Sequence, residues 1–262
     1  MRRASTCLAV LGVALTALTG VASAAPTVTM KLAAVPISGF PKTGNIYGAG
    51  AAVQSEFTIK GTEYGGFPAP LIGVNVWLPT GTKIHQAGFK DCATASLEAK
   101  EPKKCPGGSK AGPVGHANGV VAFGKERVHE EVSIESFFTS AGLGFYVEGH
   151  SPVQLEFFSG GHYTQLGGGG GFGPELVTEV PLVETVPGAP DASTETISVK
   201  VGAAIKKGGK AIYYGTVPPK GKCPKGGFKV KAELIFASIS ALPARVPGET
   251  AVATYRPPCP RK

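Results

Sequence analysis

Five histidines are the side chains that could hold a metal ion or transfer a proton near neutral pH. They are His85, His116, His129, His150 and His162, and no two of them are spaced as H-x-H or H-x-x-x-H. His150 and His162 could meet across a hairpin, but a zinc site needs a third protein ligand. The sequence therefore predicts no metal site and no cofactor.

Glycosidic bonds are cleaved between two flanking carboxylates, and four glutamates lie close together in the chain. They are Glu126, Glu130, Glu131 and Glu135. Glu131 and Glu135 share one face of a predicted strand, where the strand rise separates them by about 13 Å. That separation is too large for either glycosidase mechanism without a partner strand, so we interpret these residues as a solvated acidic face. No G-x-S-x-G motif occurs, and we predict no catalytic residue.

The N-terminus has the layout of a cleavable signal peptide. Arg2 and Arg3 precede an apolar stretch over residues 8–21, and Ala22-Ser23-Ala24 supplies the small residues that a signal peptidase accepts. We therefore predict that residues 1–24 are removed. No later stretch is long and apolar enough to span a membrane, so we expect a secreted or cell-wall-associated protein.

Positive charge is concentrated in the C-terminal third. Residues 25–189 carry 11 Lys and Arg against 14 Asp and Glu, whereas residues 190–262 carry 13 against 4. Clustered positive charge attracts polyanions, which for an exported protein are anionic cell-wall polymers or polysaccharide; a solubilising surface is the other interpretation. No nucleic-acid-binding motif occurs. The predicted binding residues are Lys206, Lys207, Lys210, Lys225, Lys229 and Lys231.

Four cysteines follow the predicted signal peptide, namely Cys92, Cys105, Cys223 and Cys259. An even number in an exported chain indicates disulfides, and among the three possible pairings we favour the local ones, Cys92–Cys105 and Cys223–Cys259. The loop-entropy model assigns about 3 to 4 kcal/mol to loops of these lengths. A zinc site made by all four is the competing interpretation, which the absence of C-x-x-C disfavours.

At least eight segments alternate apolar and polar residues with the period that predicts half-buried strands. In one of them Ile72, Val74, Val76 and Leu78 share the predicted core face. Trp77 points the other way, and we favour a packed ring there over an exposed aromatic platform. The pattern predicts an all-β fold, immunoglobulin-like in character, as one large sandwich or two packed ones with at most one short helix.

Local signals mark two turns, the helix and a candidate domain boundary. Gly208-Gly209 predicts a hairpin turn, Asn118-Gly119 a second turn, and residues 94–100 the short helix. The five consecutive glycines at 167–171 lose too much backbone entropy to form a strand. We therefore predict a β-sandwich domain over 25–166, a glycine-rich loop or linker over 167–173 and a basic β domain over 174–262. A long loop within a single sandwich is the alternative.

Two segments also carry a family resemblance. The first runs Leu78-Pro79-Thr80-Gly81-Thr82-Lys83 and continues through Cys92, Leu97, Cys105-Pro106, Ser109-Lys110 and Gly112; the second is Cys223-Pro224-Lys225-Gly226-Gly227-Phe228 with the late Cys259. Both resemble an uncharacterised family of exported, disulfide-containing β-rich proteins of high-GC Gram-positive bacteria. The resemblance implies export, β structure and disulfides, and it brings no catalytic residues.

These features together predict an exported, non-catalytic binding or structural module at the cell envelope. The basic third would dock on an anionic polymer of the wall. An extracellular polysaccharide-active enzyme that uses carboxylates is the alternative function.

Overall fold

The described part of the chain folds into antiparallel β structure with one short α-helix. The structure, a computed structural model, describes residues 25–40, 52–123, 126–151, 153–164, 171–183, 192–216 and 227–257. The strands are β1 (Thr27–Val35), β2 (Ala52–Lys60), β3 (Leu71–Pro79), β4 (Lys83–Ile84), β5 (Gly115–Phe123), β6 (Glu126–Thr139), β7 (Gly142–Gly149), β8 (Leu155–Thr164), β9 (Phe172–Glu179), β10 (Ser193–Val201), β11 (Ala204–Lys207), β12 (Lys210–Tyr213), β13 (Gly215–Thr216), β14 (Val230–Ala237) and β15 (Pro247–Tyr255). The all-β prediction is confirmed, and the predicted signal peptide lies outside the described residues.

Eleven strands form one sheet in the order β1-β2-β10-β5-β6-β7-β8-β9-β3-β14-β15, with antiparallel neighbours throughout. Sheets of more than about ten strands curl, split or flatten, because every strand adds twist. This one curls until β1 and β15 lie beside each other. The immunoglobulin-like sandwich is not confirmed, since such a fold needs two sheets and this single sheet is close to a barrel.

Strands from both sides of the glycine-rich segment share this sheet. β9 begins at Phe172, inside the segment predicted as a loop, and pairs with β8 and β3. β10 lies between β2 and β5. Residues 165–170 are outside the described residues. Hydrogen bonding in the sheet therefore crosses the predicted domain boundary.

Alternation of side chains places the core inside the curled sheet. One group of buried residues joins β1, β2, β3, β14 and β15, and a second joins β5, β6, β7 and β8. Ile197 on β10 packs against both groups. The core face predicted for β3 is confirmed for Val74 and Val76, which pack against the first group. Ile72 is buried, but Leu71 takes its predicted place in this group, next to an irregularity in the β3–β14 ladder.

The predicted short helix is confirmed as α1 (Thr94–Glu98). It covers part of the outer face of the sheet, where buried Leu97 packs with Phe137 of β6 and Tyr146 of β7. The disulfide Cys92–Cys105 closes the segment that contains it. Cys223 and Cys259 are outside the described residues, so their pairing stays a prediction. No helix in the described part of the chain is long and apolar enough to cross a membrane.

The two predicted turns have different outcomes. Gly208-Gly209 forms the tip of the β11–β12 hairpin, with φ of 56° and 75°, as predicted. The turn predicted at Asn118-Gly119 is wrong, because both residues lie within β5. Gly119 serves a different purpose there, since a β-carbon at this position would collide with the carbonyl oxygen of Ser193 beside an irregularity in the β5–β10 ladder.

Candidate ligand-binding cavity

A cavity of about 260 Å³ lies inside the curled sheet and is lined by members of both core groups. Its wall is mostly aliphatic and aromatic, with Leu71, Val147, Phe157 and Val199 as examples. Among the described residues that line it, Glu130 is the only one with a charged side chain. The volume falls just below the roughly 300–1,000 Å³ of sites for drug-sized ligands, so the cavity suits a slender or small molecule.

The strand registers explain why Glu130 points inward. Successive side chains of a strand alternate between faces, so Glu130 shares a face with Val132 and Ile134 of β6. Val132 lies opposite Gly149 of β7, which in turn lies opposite Leu155 of β8. The same alternation that places Val132 and Ile134 in the core therefore carries the carboxylate inside. The interpretation of the four glutamates as a solvated acidic face is therefore wrong for Glu130, which is buried.

The Glu130 side chain is 4% exposed, and its two oxygens have different surroundings. Oε2 accepts a hydrogen bond from the backbone N–H of Val153, at 3.1 Å, in the β7–β8 connection. Oε1 is buried and has no hydrogen-bond partner among the described residues. A β-carbon on Gly149 would lie 2.7 Å from Oε1, so this oxygen lies over the inner face of β7 where glycine leaves room.

Ser193 is a second buried polar residue close to the cavity wall. It is fully buried at the start of β10, and its hydroxyl likewise finds no partner in the part of the chain that the structure describes. Val120, its partner in the β5–β10 ladder, is adjacent to Gly119, and Gly119 lies opposite Glu130. Adjacent residues of a strand face opposite sides of the sheet, so the Ser193 side chain points away from the face that carries Glu130.

Two tyrosines line the cavity toward the opposite end of β8. Tyr163 is eight residues beyond Leu155 on that strand, and the Tyr214 hydroxyl donates to the carbonyl oxygen of Gly142 at 3.4 Å. Burial raises the pKa of Tyr214 to about 12, and burial together with the Tyr214 hydroxyl raises the pKa of Tyr163 well above its usual value. Both phenols are therefore neutral at physiological pH.

The structure does not bring the predicted glutamate candidates together. Glu131 points outward, next to the inward-pointing Glu130, with Oε1 3.7 Å from Nδ1 of His116. Glu135 is also on the outer face and forms an ion pair with Lys110 at 2.7 Å. A pair of carboxylates that could flank a glycosidic bond is therefore not formed by these residues.

The histidines are all exposed and lie apart from one another. His162 pairs with Gly142 in the β7–β8 ladder, whereas His150 follows Gly149, so the two histidines are at opposite ends of the hairpin. Within the described ranges, no three His, Cys, Asp or Glu side chains are grouped so that they could hold a metal ion.

The predicted lysines occupy two separate places. Three of them are exposed at the tip of the β11–β12 hairpin, namely Lys206, Lys207 and Lys210. Lys229 and Lys231 are half-buried on β14 or just before it. Lys225 is outside the described residues. The hairpin tip is therefore the part of the predicted patch that is open to a partner.

Trp77 is packed on the outer face rather than presented as a platform. Lys231 Nζ lies 4.1 Å from the centroid of the indole ring and 2.6 Å from the Glu233 carboxylate. Buried Glu175 lies opposite Trp77 on the other neighbouring strand. The ring is thus covered by a cation that is itself ion-paired.

Comparisons of the chain with protein-family models, with curated proteins and with solved structures found no match. The resemblance to exported proteins of high-GC Gram-positive bacteria therefore stays a prediction.

Proposed function

We propose that the protein binds a small apolar molecule inside the curled sheet, as a carrier or binding module rather than an enzyme. The cavity of about 260 Å³ with its mostly aliphatic wall is the observation that supports this proposal. Water is held poorly in such a space, because a buried water needs two to four polar partners. An apolar molecule loses its own contact with water on entering, which stabilises the complex by about 25 cal/mol per Å² of apolar surface.

The binding test uses N-phenylnaphthylamine, a neutral apolar dye whose fluorescence rises on leaving water. We expect saturable binding at one site. Val147 lines the cavity and is 6% exposed, so Val147→Phe should fill the space and abolish binding. The matched control is Val252→Phe, which makes the same substitution at a valine that is 54% exposed on the outer face of β15. Dye binding that is absent from the wild type, or that survives Val147→Phe unchanged, contradicts the proposal.

A second proposal concerns location and a polymer partner. The first 24 residues support export, and the three exposed lysines at the hairpin tip support docking on an anionic cell-wall polymer. None of the ion pairs found in the described residues involves these lysines. Their charge is therefore available to a polyanion, and the attraction is expected to weaken as salt is raised.

The polymer proposal is tested by sedimenting the mature protein with Gram-positive cell walls, with and without their anionic polymers, across a salt series. Binding should require the polymer, fade with salt and be lost when Lys206, Lys207 and Lys210 are all changed to Gln. Changing Lys100, Lys103 and Lys104 to Gln is the matched control, because it removes the same charge elsewhere. Equal loss in both triple variants would assign binding to net charge alone and would refute the hairpin tip as the docking surface.

A further inference from the structure

We propose that Glu130 selects among apolar ligands, favouring those whose polar end donates hydrogen bonds and above all an ammonium group. This inference rests on the proposed apolar-ligand function and adds the chemistry of the ligand's polar end. A hydrophobic amine is therefore the class of ligand that the cavity would take.

The first step of the inference is that only one of the two Glu130 carboxylate oxygens has a hydrogen-bond partner among the described residues. Its Oε2 already accepts from the Val153 N–H, which accounts for one oxygen. Its Oε1 is buried beside Gly149 and has no partner among the described residues, and Glu130 itself lines the cavity. Buried polar atoms in native proteins nearly always have a hydrogen-bond partner, so an orphan acceptor on a cavity wall indicates a donor that enters the cavity.

The second step concerns charge. A buried carboxylate that is not paired costs free energy, and the cavity wall in the described residues offers no Lys, Arg or His to offset it. A ligand ammonium supplies both the missing donor and the missing positive charge, and hydrogen bonds between charged groups are the strong ones. A ligand alcohol supplies only the donor. A ligand carboxylate would place two like charges together and should be rejected.

The third step is the position of Glu130 within the cavity. It lies at one end, whereas the wall around Val147, Phe157 and Val199 is apolar. A ligand with one polar end and a hydrocarbon body therefore fits this arrangement of wall residues.

The test measures how octylamine, octanol and octanoate displace N-phenylnaphthylamine at neutral pH. All three have eight carbon atoms in one unbranched chain, so differences between them report mainly the polar end. We expect octylamine to compete best, octanol next, and octanoate about tenfold or more weaker than octylamine. In Glu130→Gln the preference for the amine over the acid should fall to near unity. Glu131→Gln removes a neighbouring carboxylate on the outer face and should leave the preference unchanged.

The outcomes separate the two proposals. If the dye does not bind the wild type, the apolar-ligand function fails and this inference fails with it. If the dye binds but octanoate competes as well as octylamine, or if Glu130→Gln keeps the preference, only the role of Glu130 is refuted. Gly149→Ala is a second variant, because its methyl group would displace Oε1 without changing charge; it too should reduce the preference for the amine.

Discussion

At the scale of single residues, the two tyrosines of the cavity wall have their ionisation linked to the fold, as does Tyr146, whose pKa is also raised to about 12, chiefly by burial. Tyr163 lies beside Tyr214 with ring centroids 6.5 Å apart, and Tyr214 packs on Phe138 with ring centroids 4.4 Å apart. Burial disfavours the phenolate form of each, which raises both pKa values, that of Tyr214 to about 12. In the unfolded chain the phenol groups are exposed to water and release their protons near pH 10.

The raised tyrosine pKa values predict alkaline sensitivity with a defined sign. Below pH 10 both states keep the phenol protons, and the full stabilisation is present. As pH rises from 10 through about 12, the unfolded state loses protons that the folded state retains, so the free energy of unfolding falls. Urea unfolding between pH 8 and 11, followed by Trp77 fluorescence, measures this loss.

Replacing Tyr163 and Tyr214 together by Phe should reduce the alkaline loss, and the remainder is expected from Tyr146. Tyr255→Phe, on the last strand of the sheet, is the control and should retain the wild-type pH dependence. An equal slope in the double variant and the wild type would show that other groups cause the alkaline loss.

Glu130 shows where residue-level prediction from sequence reaches its limit. Glutamate is rarely buried, so a sequence interpretation assigns it to solvent. The space for its carboxylate exists only because Gly149, nineteen residues later, is brought beneath it by strand pairing. Nothing local to Glu130 indicates that contact. The alternation of β6 gives the face, and only the folded sheet gives the reason why a carboxylate is tolerated there.

At the scale of elements, the segment that carries α1 is held to the sheet by packing and by a disulfide. Leu97 is fully buried against the outer face of the sheet. Gly144 in β7 permits this close approach, since a β-carbon there would lie 3.1 Å from Leu97 Cδ1. The Cys92–Cys105 disulfide, with a sequence separation of 13 residues, restricts the unfolded chain and so favours the docked segment.

Changing both Cys92 and Cys105 to Ala should therefore destabilise the protein by about 3 kcal/mol, the value expected for a loop of this length. Urea denaturation of the variant and the wild type measures the difference. Glu101→Gln is the control within the same segment, because it removes only the exposed 2.6 Å ion pair with Lys104 and should cost less than about 1 kcal/mol. A cysteine variant as stable as this control would contradict the prediction.

Elements whose signals are local were predictable from sequence, and those that depend on distant partners were not. The turn at Gly208-Gly209 and the helix near Leu97 follow from residues next to each other in the chain. Asn118-Gly119 has the same local signal as a hairpin turn, yet it lies inside β5. Gly119 is needed because the backbone of β10 passes too close for a side chain, and β10 begins about 75 residues later in the chain. No local pattern in the sequence shows this contact.

At the scale of the whole molecule, period-two alternation predicts strands but does not determine how the strands are arranged. A sandwich and a nearly closed sheet both bury every second side chain, so the pattern is the same for the two. The order of strands depends on pairings such as β9 with β3 and β10 with β2, which join distant parts of the chain. The cavity follows from that arrangement and was not predictable from the sequence.

The incomplete closure of the sheet gives its two end strands a distinct environment. β1 pairs with β2 and β15 pairs with β14, but no ladder joins β1 to β15 among the described residues. Central strands such as β6 and β7 have a ladder on both edges. Backbone amides without a ladder partner open at lower free energy, so the seam between β1 and β15 is where the sheet should open first.

Hydrogen exchange followed by mass spectrometry tests this prediction along the chain. Peptides from β1 and β15 should exchange faster than those from β6 and β7, because each end strand has half the ladder contacts.

If the seam is also the path into the cavity, a saturating amount of N-phenylnaphthylamine should slow exchange in β1 and β15, since a ligand that binds only the closed form lowers the population of the open one. The Val147→Phe variant, in which the cavity is filled, should show no such slowing with the dye. Exchange in β1 and β15 as slow as in β6 would mean that the seam is effectively closed. Slowing confined to the opposite side of the sheet would place the ligand's path elsewhere, at one of the ends of the curled sheet.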